Sequence, residues 1–422
     1  MIRKFKTKIF VLFIISLSIN GESILIKNAT IFDGIQSQSF VGNILIKDKK
    51  IIQVTSNEIK GDYVINANKK IVTPGLIAVD TELGIVEIGA LSVTRDDSAD
   101  FYKIGFSIYD AFNPNSTLIP WNRSNGITSS LTLPQNTSSP IGGLGSYFVL
   151  DGKMLIEGEA DTVMIGRLGG SYDKSRSETL SIINDLLSFA SSISTRQVNS
   201  EQEISELISS SSIATAMELH PRDVKALYRL INDNLPLIIK SHRASDLIKL
   251  AELKGKYNLN LIIMGAQESA LVSEIIANNN IPLIINPIDN IPGSFDELAA
   301  NITLSSRLEE EGIQIMFNAS RDHNYHLIRQ GAGVAVANGM SYGGAIKALT
   351  SIPASVFNIK DRGSIKVGNF ADIIIWDNDP LEPSSMPEKV FINGESIDLT
   401  TRSSRLRDRY TKEVEKPVTY RN

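Results

Sequence analysis

Residues 72–84 read VTPGLIAVDTELG, an apolar run that ends abruptly on two carboxylates. The run Gly75–Val79 has the length and character of a buried strand, and Asp80 and Glu82 follow it directly. Residues two apart on an extended segment point the same way, so these two carboxylates would project together from the strand's end. Comparable apolar runs recur at 126–133, 236–240, 260–264, 281–286 and 313–318. Amphipathic segments such as DVKALYRLI (223–231) and ESALVSEIIA (268–277) lie between them. Alternation of this kind predicts parallel βα units and an α/β fold closing into a TIM-like barrel. Such barrels carry their sites at the C-terminal ends of the strands, so the residues just after each run matter most.

Outside that region the grammar changes. From Ser23 to Ile71 short β-branched runs are broken by Asp33-Gly34 and Lys49-Lys50, which is hairpin patterning. The stretches KVGNFADIIIWDN (366–378) and KVFINGESI (389–397) show it again near the other end. One small β-sandwich domain built from both chain ends is therefore expected, divided as residues 22–72 and 363–398 around a barrel of 73–362. The segment 399–422 mixes charges without apolar periodicity and reads as a surface tail. The Gly- and Pro-rich stretch LPQNTSSPIGGLGSY (133–147) fits neither a P-loop nor a dinucleotide fingerprint and reads as a long surface loop. The polar stretch 172–200, around one amphipathic helix, reads as an insertion over a barrel face.

Composition narrows the function classes. A chain of 422 residues can bury a large core, and a net charge of −5 without a Lys/Arg run in its body argues against a nucleic-acid surface. No cysteine is present, which excludes disulfides, thiol catalysis and Cys metal sites. At the N-terminus Arg3, Lys4, Lys6 and Lys8 precede IFVLFIISLSI (9–19), a run too short for a comfortable bilayer span. Residues 1–21 accordingly read as a secretory signal peptide, with an exported, periplasmic or secreted protein and no stable membrane span after cleavage. A buried first strand or an uncleaved anchor is the competing reading.

Several landmarks together carry a resemblance. ILIKNATIFDG (24–34), VTPGLIAVDTELG (72–84), LPLIIKSHRASDL (235–247), AGVAVANGMSYGGAIKALT (332–350) and RGSIKVGNFADIIIWDNDP (362–380) occur in this order, the last with Gly368, Ala371, Asp372 and Asp379 in place. The chain thereby resembles the amidohydrolase superfamily, of imidazolonepropionase-like or dihydroorotase-like type. The resemblance implies hydrolysis of non-peptide carbon–nitrogen bonds at a divalent metal site in a metal-dependent hydrolase composite domain.

The ligand set that the resemblance implies is mostly replaced. Asp80 and Glu82 stand where the family has a His-x-His pair, and Gly265 stands near the place of the strand-six histidine. His242, after the fifth family strand, holds a ligand position, and Asp322 is nearest to the family's general-base aspartate. Asp80, Glu82 and His242 are thus the metal-ligand set, and two carboxylates suit Mg²⁺, Mn²⁺ or Ca²⁺ bound weakly better than zinc. A site with no metal is the alternative. As bland readings, the carboxylates are a solvated strand end, and His242 is a hydrogen-bonded structural histidine. His323 and His326 are three apart and could share a helical face as an acid/base pair with Asp322. Arg243 could hold a substrate carboxylate or neutralise Asp246 or Glu82. His220, before Pro221, reads as a helix start.

The expected function is hydrolysis of a small cyclic or linear amide with an altered or lost metal site, with a small molecule as partner and a homo-oligomer as a possible assembly. The alternative is a catalytically silent relative that binds a small molecule or a partner protein. No G-x-S-x-G elbow occurs, which disfavours a Ser-His-Asp hydrolase.

Overall fold

A computed structural model describes residues 22–135, 137–170, 175–194, 200–289, 291–319 and 323–411. The expected signal peptide, residues 412–422 of the terminal segment and Asp322 lie outside them. Among the described residues no helix is long and apolar enough to cross a membrane.

The first strands, β1 (Ile24–Ile31), β2 (Phe40–Lys47), β3 (Lys50–Thr55), β4 (Tyr63–Asn66) and β5 (Ile71–Pro74), form the outer sheet. The barrel follows with β6 (Leu76–Thr81), β7 (Ile127–Thr132), β8 (Ile141–Val149), β9 (Gly158–Arg167), β10 (Leu237–Ser241), β11 (Leu261–Gly265), β12 (Leu283–Ile285) and β13 (Ile315–Phe317). The chain then returns to the outer sheet with β14 (Ile373–Trp376), β15 (Pro387–Ile392) and β16 (Glu395–Ser396). β14 pairs antiparallel with β5, which joins the two chain ends in one sheet. That sheet has its own core, including Ile26, Ile31, Ile44, Ile373 and Phe391, apart from the barrel core. The α/β class, the TIM-like barrel and the separate sheet domain are as the sequence predicts.

In the barrel sheet, strands pair in sequence order from β6 to β13, and β13 approaches β6 across the remaining seam. The six apolar runs marked in the sequence are β6, β7, β10, β11, β12 and β13. Leu261–Met264 and Leu237–Ile239 are buried on both faces, as strands covered by helices outside and packed inside must be. Burying an Ile or Leu side chain is worth roughly 1.5–3 kcal/mol, so each such run anchors its strand firmly.

One expectation is corrected here. Residues 141–147, read as part of a surface loop, lie in β8 and are fully buried. β8 runs antiparallel to both β7 and β9, so the barrel sheet is mixed. Its glycines have a packing reason: a Cβ on Gly142 would come within 2.2 Å of the Lys103 carbonyl oxygen. The segment 104–108 lies directly on β8, with Gly143 N–H bound to Ile104 O and Leu144 N–H to Phe106 O. The glycines admit a second backbone, and their low strand propensity hides the strand.

Outer helices close the barrel. Arg176–Ile193 turns Ile183, Leu186, Leu187, Ala190 and Ile193 inward, and Ser175 caps it by accepting from the Glu178 N–H. Pro221–Asn232 begins with His220 as N-cap, whose Nδ1 accepts from the Arg222 N–H while Asp223 accepts from the His220 N–H. His220 is thus the helix start expected. Residues 402–411, within the stretch expected as a surface tail, form a helix with no buried side chain.

Candidate functional site

The C-terminal ends of the barrel strands place the sequence-marked residues. β6 delivers Asp80 and Glu82, both about 5% exposed, into the barrel mouth. Asp80 accepts from the Asn318 amide at 2.9 Å, just beyond β13. Glu82 accepts from the Gln135 amide at 2.6 Å, and its own N–H donates to the Tyr325 hydroxyl at 2.9 Å. Tyr325 is fully buried, so it fixes the backbone that aims Glu82. The amide of a neutral side chain can satisfy a carboxylate without adding charge.

On the opposite side, the His242 ring lies against Gly265. A Cβ on Gly265 would fall 2.5 to 2.9 Å from three atoms of that imidazole. Gly265 also has φ +94°, a conformation that side chains rarely adopt. The position where the family resemblance implies a strand-six histidine is therefore taken up by the ring of His242 itself. Nδ1 of His242 sits 3.5 Å from Glu297 and makes no hydrogen bond among the described residues. Burial lowers the pKa of this imidazole below the usual histidine value, and the nearby Glu297 raises it only partly back.

A long segment, residues 286–303, comes over this side of the mouth and is tied down at three places. Glu297 faces His242. Asp296 accepts from the Gly170 N–H at 3.0 Å and pairs with Arg176, whose Nε also reaches Asp246 at 2.8 Å. Glu268 accepts from the Ala244 N–H at 2.9 Å and from the Ala299 N–H at 3.3 Å. Arg176, and not Arg243, is the close partner of Asp246. Arg243 is exposed at the N-cap of the helix Ala244–Tyr257, with no side-chain cap bond.

His323 and His326 do not share an α-helical face. His323 adopts φ +67°, and a 3₁₀ turn follows at Tyr325–Leu327. Asn122 clasps the segment, donating to the His323 carbonyl at 3.0 Å and accepting from the His326 N–H at 3.1 Å. Burial pushes the His326 imidazole down to about 4, with Arg329 adding to the effect. It packs edge-on to Trp121 at 5.4 Å.

These donors do not fit a zinc centre of the kind the resemblance implies. No group of three or more His, Cys, Asp or Glu side chains placed to hold a metal ion occurs among the described residues. Asp80 and Glu82 come together at β6, and His242 belongs to the wall formed by β10 and β11. Sequence reasoning missed Asn318, Gln135 and Tyr325. The signal for Asn318 was available, since it ends the marked run 313–318.

Comparison with known proteins agrees with this architecture. Residues 310–397 match the amidohydrolase family. Amidohydrolase tasK of Hapsidospora irregularis is 22% identical over 438 residues, covering 89% of this chain and 43% of that protein. The chain thus spans less than half the length of that relative. These matches support membership of the amidohydrolase superfamily. In fold, this chain is similar to a solved amidohydrolase from Thermotoga maritima MSB8, with a TM-score of 0.75, 21% identity and coverage of 89% and 99% of the two chains. It is similar too, at TM-score 0.51 and 15% identity, to a Xaa-Pro dipeptidase with bound methionine in its active site, covering 89% of this chain and 100% of that one.

Proposed function

We propose that the protein is a hydrolase acting on the carbon–nitrogen bond of a small cyclic or linear amide, at a site whose metal-binding character is altered. Membership of the amidohydrolase superfamily supports the hydrolase, and the pair Asp80 and Glu82 carries the location. In this reading one of these carboxylates accepts a proton from water beside the scissile carbonyl. The amides of Asn318 and Gln135 hold both carboxylates in place. A positioned general base is worth about 10²–10⁴ in rate. Asp322, His323 and Arg243 remain proposed contributors, the first two to proton transfer and the third to substrate binding. Any metal here is proposed to be a weakly held Mg²⁺, Mn²⁺ or Ca²⁺, bound through Asp80, Glu82 and His242. The basic start and apolar run of residues 1–21 support export.

One observation favours the second reading, a silent relative that binds a small molecule: both carboxylates already have amide partners, and the described residues assemble no metal group. Turnover decides between them. The purified chain, alone and with added Mn²⁺, is assayed for amine release or ring opening against hydantoins, lactams and N-acyl amino acids. Hydrolysis that falls at least about 100-fold in Asp80→Asn or Glu82→Gln supports the hydrolase. Turnover no faster in the wild type than in both variants supports the silent reading.

A further inference from the structure

The helix Arg402–Thr411, which follows the last strand of the outer sheet, presents a cationic face that nothing in the fold covers. Its root is fixed. Ile397 and Leu399 pack partly against the barrel core, and Thr401 is buried. Thr401 and Ser404 cap the first turn reciprocally, the Ser404 N–H donating to Thr401 Oγ1 at 3.1 Å and the Thr401 N–H to Ser404 Oγ at 2.9 Å. Beyond that root the helix buries no side chain. Helices shorter than about 12–15 residues are marginal in water and draw their stability from packing, so a helix of ten residues that packs on nothing calls for a surface outside the chain.

The chemistry of that surface follows from the helix face. Residues spaced i, i+3, i+4, i+7 and i+8 lie together, and here they are Arg402, Arg405, Leu406, Arg409 and Tyr410. All five are exposed. Among the described residues only Arg407, on the other side of the helix, has an acid partner, Asp408 at 2.9 Å. Asp398, before the helix, accepts from the Thr400 N–H and hydroxyl and forms no ion pair with Arg405. Arg409 lies 5.7 Å from the Tyr410 ring centroid, which leaves its charge uncompensated. Four arginines and one aspartate give the helix +3 in a chain of −5, so the partner it complements is anionic.

Size decides between kinds of anionic partner. A specific protein interface takes roughly 20–30 residues a side, far more than this face offers. A membrane binds by summed charge instead of fitted shape. Each arginine near an anionic leaflet strengthens binding roughly fivefold, so three on one face give about a hundredfold. Leu406 and Tyr410, set among the arginines, are residue types that settle at the lipid–water boundary. We propose that this face lays the protein on an anionic phospholipid surface, with Arg402, Arg405 and Arg409 on the headgroups and Leu406 and Tyr410 at the acyl boundary. Setting nucleic acid aside rests on the proposed export; the anionic character of the partner does not.

Binding, not turnover, tests it, so a silent protein can still pass. The full chain is sedimented with vesicles of phosphatidylcholine, pure or mixed with phosphatidylglycerol. The anionic vesicles are expected to bind it at least about tenfold more tightly, and added salt to weaken the difference. Replacing the three arginines together, as Arg402→Gln, Arg405→Gln and Arg409→Gln, is expected to cost at least about tenfold in affinity for the anionic vesicles, and lysine at the same positions to keep most of it. The three side chains are exposed, so the glutamine variant is expected to unfold at the wild-type midpoint. Equal binding to both vesicles, no binding, or binding that survives in the glutamine variant, as it would if residues 1–21 carried it, would each overturn the inference. So would tighter binding to poly-glutamate or duplex DNA than to the anionic vesicles, which would make the partner an acidic protein or a nucleic acid. Should the glutamine variant fail to fold, the wild-type preference for anionic vesicles and its salt dependence decide.

Discussion

The junction of the barrel with the outer sheet and the mouth of the barrel are both polar and largely buried, but they treat their polar groups differently. At the junction Arg362 pairs with Asp372 and Glu157, and its Nη2 reaches Asn393 Oδ1 at 2.8 Å. Asn393 returns two bonds, from its N–H to Asp372 and from its amide to Glu157, each 2.8 Å. Arg362 also lies 4.3 Å from the Phe370 ring centroid. Burial opposes the charge on Arg362, yet Asp372 and the other acids raise its pKa above the ordinary value. At the mouth, His242 Nδ1 and Asn318 Oδ1 are buried without hydrogen-bond partners among the described residues. A network whose members saturate one another holds two domains together; groups left with spare bonding capacity can receive a ligand.

The contrast is open to attack by substitution. Arg362→Ala leaves buried carboxylates without their cation and is expected to destabilise the fold by about 3–5 kcal/mol in denaturant unfolding. A loss below about 1 kcal/mol would mean the junction is not the clamp described. Gly265→Ala forces a Cβ into the His242 ring at a left-handed backbone position, and a loss of about 1–3 kcal/mol is expected, with a shifted His242 imidazole resonance by NMR. An unchanged resonance would show that His242 does not rest on Gly265.

A pH dependence should follow from His326. Its folded pKa of about 4 lies below the unfolded value of about 6.5, so between these values the unfolded chain binds more protons. Stability from this group is complete above the unfolded pKa, falls as pH drops toward 4 and then levels. His326→Gln should flatten that part of the stability profile, and an unchanged slope would remove His326 as its cause. The smallest effect is expected at the mouth: Asp80→Asn should change unfolding free energy by no more than about 1 kcal/mol, since the side chain serves a site and not a clamp. A loss as large as that of Arg362→Ala would abolish the distinction.

Much of this was legible in the residues. The six apolar strand runs and the split outer sheet follow from periodicity alone. β8 and β9 were not legible, because Gly142, Gly143 and Gly145 dilute one strand and the polar start Gly158–Thr162 disguises the other. The most specific motif, around Gly368 to Asp379, marks structure: Asp372 pairs with Arg362, and Asp379 accepts from the Tyr342 hydroxyl at 2.7 Å. At the site, the replaced histidines could be seen, but what replaces them functionally could not. Gln135 and Asn318 reach Glu82 and Asp80 from flanking strands that are remote in sequence, and no local pattern announces such pairing.

The most direct measurement is the metal content of protein purified without chelator and dialysed. An altered site built on Asp80 and Glu82 predicts zinc far below one ion per chain, with at most a weakly held Mg²⁺, Mn²⁺ or Ca²⁺. One zinc ion per chain retained through dialysis would contradict it.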